Sequence, residues 1–121
     1  MRIRSSARRP LLALALACVL LLSFAGTAQA RQRVRATDNQ FRPARVTVSV
    51  GERVVWRNTG NNPHTVTAFG GNWRKDSRIF QQGDRTSRTF AAAGVYRYYC
   101  KIHGSVSGGQ CSGMCGRVTV G

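Results

Sequence analysis

The chain has 121 residues, 42% of them hydrophobic, which is room for one small domain and not for two. Nineteen Lys and Arg, seventeen of them Arg, oppose four Asp and Glu, for a formal net charge of +15. Such a balance favours an acidic partner protein or an anionic membrane surface. The basic residues are spread along the sequence rather than clustered, which argues against binding to nucleic acid.

Residues 1–30 read as a secretory signal peptide. Arg2, Arg4, Arg8 and Arg9 make a basic start, Leu11 to Phe24 an apolar run, and Ala28-Gln-Ala30 a small-residue cleavage site, so cleavage is expected after Ala30. The run is shorter than the roughly 20 apolar residues of a membrane span; if retained, it would act as an anchor. Arg8-Arg9 also admits a twin-arginine route, in which the protein is exported folded. Cys18 lies inside the apolar run, a poor position for lipidation. The domain is then Arg31 to Gly121, and with four basic residues left in the leader its net charge is +11. A soluble monomer, periplasmic or otherwise extracytoplasmic, is expected. A domain of this size buries about 60–70% of its unfolded surface. A metal or a disulfide would widen that thin margin.

From residue 31 on, the pattern is one of short strands. The first is expected near Gln32 to Ala36. Arg45-Val-Thr-Val-Ser-Val50 alternates with period two, which turns Val46, Val48 and Val50 to the core. Gly51-Glu52 is a turn signal, and Arg53 to Arg57 follows, so the two strands read as a hairpin. Asn58 to Pro63 is a dense turn signal. His64 to Ala68 is strand-like, Gly70 to Asn72 breaks it, and Arg78 to Phe80 makes a short strand. Arg85 to Phe90 and Val95 to Cys100 are separated by Ala-Ala-Ala-Gly94, and Gly116 to Val120 is the last strand. Seven or eight such strands predict an all-β, Greek-key β-sandwich. Trp56, Phe90, Tyr96 and Tyr98 are expected in its core. Tyr96, Tyr98 and Cys100 share one strand face, so an inward face buries the Cys100 thiol.

The chain has two His, and both belong to one constellation. His64 follows the Asn/Pro turn, Cys100-Lys-Ile-His103 ends the aromatic strand, and Met114 follows after ten more residues. Each alone is unremarkable: a loop His is usually a surface group, and a Met among glycines usually packs. Together they are a thiolate, two imidazoles and a thioether, the ligand set of a blue-copper centre. Soft sulfur suits Cu(I), while imidazole suits both oxidation states. The cysteine count fits this reading. An exported domain with Cys100, Cys111 and Cys115 has an odd thiol to spare for a ligand. Cys111 and Cys115 then form a disulfide that pins the loop around Met114, or remain paired free thiols that handle copper. A binuclear copper site would need a His after the second of them, and none follows His103.

The chain resembles the cupredoxins of the plastocyanin/pseudoazurin type from about Phe41 to Val120. The resemblance rests on Phe41-Arg-Pro43, Val50-Gly-Glu-Arg-Val-Val-Trp-Arg-Asn58 and Pro63-His-Thr-Val66. It continues through Phe90 to Gly94, Tyr98-Tyr-Cys-Lys-Ile-His103 and Gly113-Met-Cys-Gly-Arg-Val-Thr-Val120. It implies one type 1 copper ion held by His64, Cys100, His103 and Met114. The departure is the stretch from Gly104 to Gly113, longer than in the simplest members of the family. The resemblance also implies electron exchange at the edge of His103. The net charge points to an acidic redox partner or an anionic membrane surface docking at that end, ringed by Lys101 and by Arg42, Arg57 or Arg74 on nearby loops.

Two functions follow from these residues. One is an electron carrier that cycles between Cu(II) and Cu(I). The other is copper binding or delivery without electron transfer. A sandwich without redox function fits poorly with a full ligand set. An enzyme is not expected, because four protein ligands leave no open position for a substrate.

Overall fold

The computed structural model describes residues 30–121, so the proposed signal peptide lies outside the described residues. Among these residues no helix is long and apolar enough to cross a membrane. There are eight strands: β1 (Arg31–Thr37), β2 (Gln40–Arg42), β3 (Arg45–Val48), β4 (Arg53–Asn58), β5 (Thr67–Phe69), β6 (Arg85–Thr89), β7 (Gly94–Ser107) and β8 (Gln110–Val120). They form two four-stranded sheets, in the orders β2-β1-β4-β6 and β3-β8-β7-β5. The expected all-β sandwich is present.

Alternation decides the core. Val34 and Ala36 of β1, Val46 and Val48 of β3, Val54 and Trp56 of β4, Tyr98 and Cys100 of β7 and Val118 and Val120 of β8 all point inward and are buried. Tyr98 sits at the centre, with edge-on contacts to Phe41 at 4.8 Å and Trp56 at 5.2 Å between ring centroids. Gly116 is required beside it, because a Cβ there would run into the Tyr98 ring.

Five expectations need correction. The strands around Gly51 are not a hairpin: β3 pairs in parallel with β8 and β4 in parallel with β1, so the chain crosses between sheets. Each strand finds a long parallel ladder with a distant segment, which a local pattern does not encode. Val50 is 55% exposed because β3 ends at Val48 and the next residues turn. His64 lies outside the strand expected over 64–68, which reduces to Thr67–Phe69, and His64 and Phe80 share only an isolated bridge. Arg78 to Phe80 is therefore no strand. Tyr96 is half-buried at the edge, where it packs with Phe90 and with Trp73. Trp73, unmarked in the sequence, is buried and donates from Nε1 to the Arg97 carbonyl at 2.9 Å.

The stretch from Gly104 to Gly113 is regular structure. Residues 104–107 of β7 pair with 110–113 of β8, as Ser105 with Ser112, Val106 with Cys111 and Ser107 with Gln110. Gly108 and Gly109 turn between them with φ of 55° and 74°, the double left-handed geometry of a two-residue hairpin. Gly-Gly between short alternating segments was a readable signal for this turn.

Candidate metal centre

The ligand atoms of His64, Cys100 and His103 converge, and Met114 lies across the ladder from the last two. His64 comes from the loop after β4, Cys100 and His103 from β7, and Met114 from β8. On a regular strand, residues three apart point to opposite faces, so Cys100 and His103 would diverge. A register shift prevents this. Tyr99 pairs with Cys115 and Gly104 with Gly113, so four residues of β7 lie opposite Met114 alone. This bulge turns Cys100 and His103 toward one point, with Met114 across the ladder from both. Gly113 makes the bend possible: its φ is 80°, and a Cβ there would strike the His103 carbonyl.

Cys111 and Cys115 bracket this bend and are joined by a disulfide. Their Cα atoms are 6.2 Å apart, whereas residues four apart on a straight strand would be separated by about 13 Å. The crosslink therefore holds the folded-back segment that carries Met114.

Cys100 Sγ lies 3.8 Å from His64 Nδ1 and 3.6 Å from His103 Nδ1. Among the described residues, His64, Cys100 and His103 are the one group of His, Cys, Asp and Glu with converging ligand atoms, all within 4.8 Å of one another. The distances suit a metal. A sulfur at about 2.3 Å and a nitrogen at about 2.1 Å from a first-row ion, at trigonal angles, would be about 3.8 Å apart. His64 and Cys100 are fully buried, Met114 is 1% exposed and His103 is partly exposed. The donor set and its spacing fit one type 1 copper ion.

A second layer fixes these groups. The Thr65 N–H donates to Cys100 Sγ at 3.3 Å, and Thr65 Oγ1 accepts from the Lys101 N–H at 2.9 Å. Asn58, buried at the end of β4, donates from Nδ2 to the carbonyls of Asn62 and Phe80 at 2.8 and 3.0 Å. Its Oδ1 accepts from the Gly60 N–H at 2.9 Å. Asp38 accepts from the N–H groups of Asn61 and Asn62. Together they shape the loop that delivers His64. Thr65, Asn58 and Asp38 escaped the sequence reading, because each looked like an ordinary turn or strand residue. The Asn58-Thr-Gly-Asn-Asn-Pro63 run could have flagged Asn58 as a loop organiser.

Burial holds the His64 imidazole below its usual value, the neighbouring His103 adds to this, and Asp38 and the Thr37 carbonyl pull weakly the other way. The neutral form is the metal-binding form. His64 Nε2 closes no hydrogen bond of normal geometry, and the Thr37 carbonyl is the acceptor nearby. An Nδ1 that ligates leaves the proton on Nε2, directed at that carbonyl.

The sign of the pH effect follows. An unfolded His takes a proton near about pH 6.5, and folded His64 takes it only at lower pH. Its contribution to stability is present above the unfolded value and is lost as pH falls through the folded one. The metal-free protein is therefore expected to unfold at lower urea at about pH 5 than at about pH 7.5, and His64→Gln should flatten much of that difference. An identical pH response in the variant would contradict the assignment.

Residues 28–121 match the family model described as copper binding proteins, plastocyanin/azurin family. The chain is 33% identical to a plastocyanin of Scenedesmus fuscus over 89 residues, which are 66% of this chain and 85% of that one. A purple cupredoxin from Nitrosopumilus maritimus superposes with a TM-score of 0.60 at 26% identity, covering 74% of this chain and 98% of the other. The Cu(I) form of an amicyanin variant superposes with a TM-score of 0.64 at 25% identity, covering 80% and 88%.

Proposed function

This chain belongs to the plastocyanin/azurin family of copper-binding proteins, and from that premise we propose that it is an exported carrier of single electrons between redox partner proteins. The observation that carries the reading is the convergence of the ligand atoms of His64, Cys100 and His103 within 4.8 Å of one another, with buried Met114 on the strand opposite. These four residues would hold the ion, the Cys100 thiolate and the His64 and His103 imidazoles as strong donors and the Met114 thioether as a weak one. Copper bound there supplies one-electron chemistry between Cu(II) and Cu(I).

The chain's own residues do the rest. The rigid sheets, the bulge and the disulfide pre-set the donor positions, so little needs to move when the charge of the site changes. The Thr65 N–H tempers the sulfur's charge, the kind of outer contact that tunes a potential. Burial of Cys100 and His64 keeps water away, and His103, partly exposed, is the edge through which a partner would be met. Lys101, beside Cys100, is tied to Asp76 at 2.8 Å, so it adds little free charge at that end.

The copper-loaded, oxidised protein is expected to show an intense visible band from thiolate-to-copper charge transfer, to lose it on one-electron reduction and to regain it on reoxidation with the copper retained. Release of the ion on reduction would instead favour copper delivery, and stoichiometric copper without an intense band would sink the blue-copper reading. The N-terminus of exported protein is expected at Arg31. A retained Leu11–Phe24 segment would make it a membrane-anchored carrier.

A further inference from the structure

The outer face of the first sheet is paved with arginine. Register puts Arg42 opposite Arg35, Arg35 opposite Arg57 and Arg57 opposite Arg85, so one row of four arginines crosses all four strands. Two residues further down lies Arg33, and two further still the pair Arg31 and Arg53. Strands are about 4.8 Å apart, so like charges stand side by side, an arrangement that is unfavourable by itself. All of these but Arg42 line an open groove of about 590 Å³, with Val55 and Ser87.

Among the described residues no carboxylate forms an ion pair with this face. Asp76 pairs with Lys101, and Asp38, Glu52 and Asp84 are turned to backbone N–H groups of Asn61 and Asn62, of Ser49 and of Gln81. The complementary charge must come from outside. Nor is the face remote from the metal end. Arg57 directly precedes Asn58, whose side chain ties the carbonyls of Asn62 and Phe80 on either side of the His64 loop. Arg85 directly follows Asp84, whose carbonyl accepts from the Asn58 N–H at 3.0 Å. Arg42 and Arg57, expected on loops around His103, are strand residues of this row.

We propose that this arginine groove is the docking surface for an acidic protein, the redox partner of the carrier. The proposed electron-transfer role is used only to say what kind of protein the partner is. Guanidinium groups pair with carboxylates through two parallel hydrogen bonds, a geometry that lysine does not offer. The groove has no aromatic side chain, and Val34 and Val55 are the only apolar residues in its lining, which is unlike a lipid-inserting face. A contact of this small, polar kind suits a brief electron-transfer encounter, at the low end of interface areas. It leaves the metal end beside the docked partner.

The test is binding of copper-loaded protein to a 20-residue poly-aspartate peptide at low salt, followed by calorimetry. Arg35→Gln/Arg57→Gln/Arg85→Gln removes three charges from the row. Arg45→Gln/Arg97→Gln/Arg117→Gln removes three from a row on the opposite sheet, where these residues are likewise paired. The first variant is expected to weaken binding about tenfold or more, and the second about threefold or less. Arg57→Gln alone, which leaves most of the face intact, should fall between wild type and the triple variant. Equal losses from the two sheets, or none from either, would overturn the proposal and leave the charge as generic. So would row-dependent binding to phosphatidylglycerol vesicles without binding to the peptide, which would make the face a membrane contact. None of these readouts requires electron transfer, so a failure here leaves the carrier role standing, and a protein that binds the peptide yet does not cycle its copper refutes only that role.

Discussion

Cys100→Ser is expected to abolish the intense visible absorption of the copper-loaded protein and to lower copper affinity by more than about 100-fold, beyond what loss of an outer contact brings about. Cys100 is fully buried and is the only thiol free of the disulfide among the described residues. A serine hydroxyl stays protonated at neutral pH and is a hard donor, so it supplies neither the negative charge nor the soft sulfur that favour Cu(I). The apo fold should survive. Serine is smaller by little, and its oxygen can still accept the Thr65 N–H that now meets the sulfur at 3.3 Å. Apo stability is therefore expected to change by only about 1–2 kcal/mol. The measurement pairs an absorption spectrum with a urea melt of the metal-free protein. Persistence of the band in a folded variant would remove Cys100 from the site.

Asn58→Leu is expected to have a large effect on stability although Asn58 is not among the candidate ligands. Leucine keeps the branched shape of asparagine and is larger, so no cavity is made. What is lost is three hydrogen bonds, two to the carbonyls of Asn62 and Phe80 and one from the Gly60 N–H. A buried backbone group left without a partner costs about 1–3 kcal/mol, so the variant should lose about 3 kcal/mol or more. That is a large share of the roughly 5–15 kcal/mol that holds a domain together. The loop that delivers His64 would loosen with it, so copper affinity should also fall, about tenfold, as for other residues that orient a ligand. Denaturant melts of the apo protein and copper titration of the variant check both parts. A loss below about 1 kcal/mol would mean that the Asn58 side chain does not organise this loop.

Much of the fold and of the centre could be read from the sequence, for a physical reason. The two-residue repeat of a strand is a local property, so Val46 and Val48, Val54 and Trp56, and Tyr98 and Cys100 announced which way they face. Donor chemistry is also local: two imidazoles, one spare thiol and a thioether in a fixed order name a metal whatever the fold does. The tertiary structure alone decided which strands are neighbours. The parallel ladders of β3 with β8 and β4 with β1 join distant segments, and the turn at Gly51 contains no record of them. It also decided how Cys100 and His103 come to one point, through a bulge in which residues 100–103 face Met114 alone. The same holds for the row Arg42, Arg35, Arg57 and Arg85. Spread along the chain, these residues read as diffuse charge, because cross-strand register is set by which apolar faces bury together and not by the charged side chains on the other face.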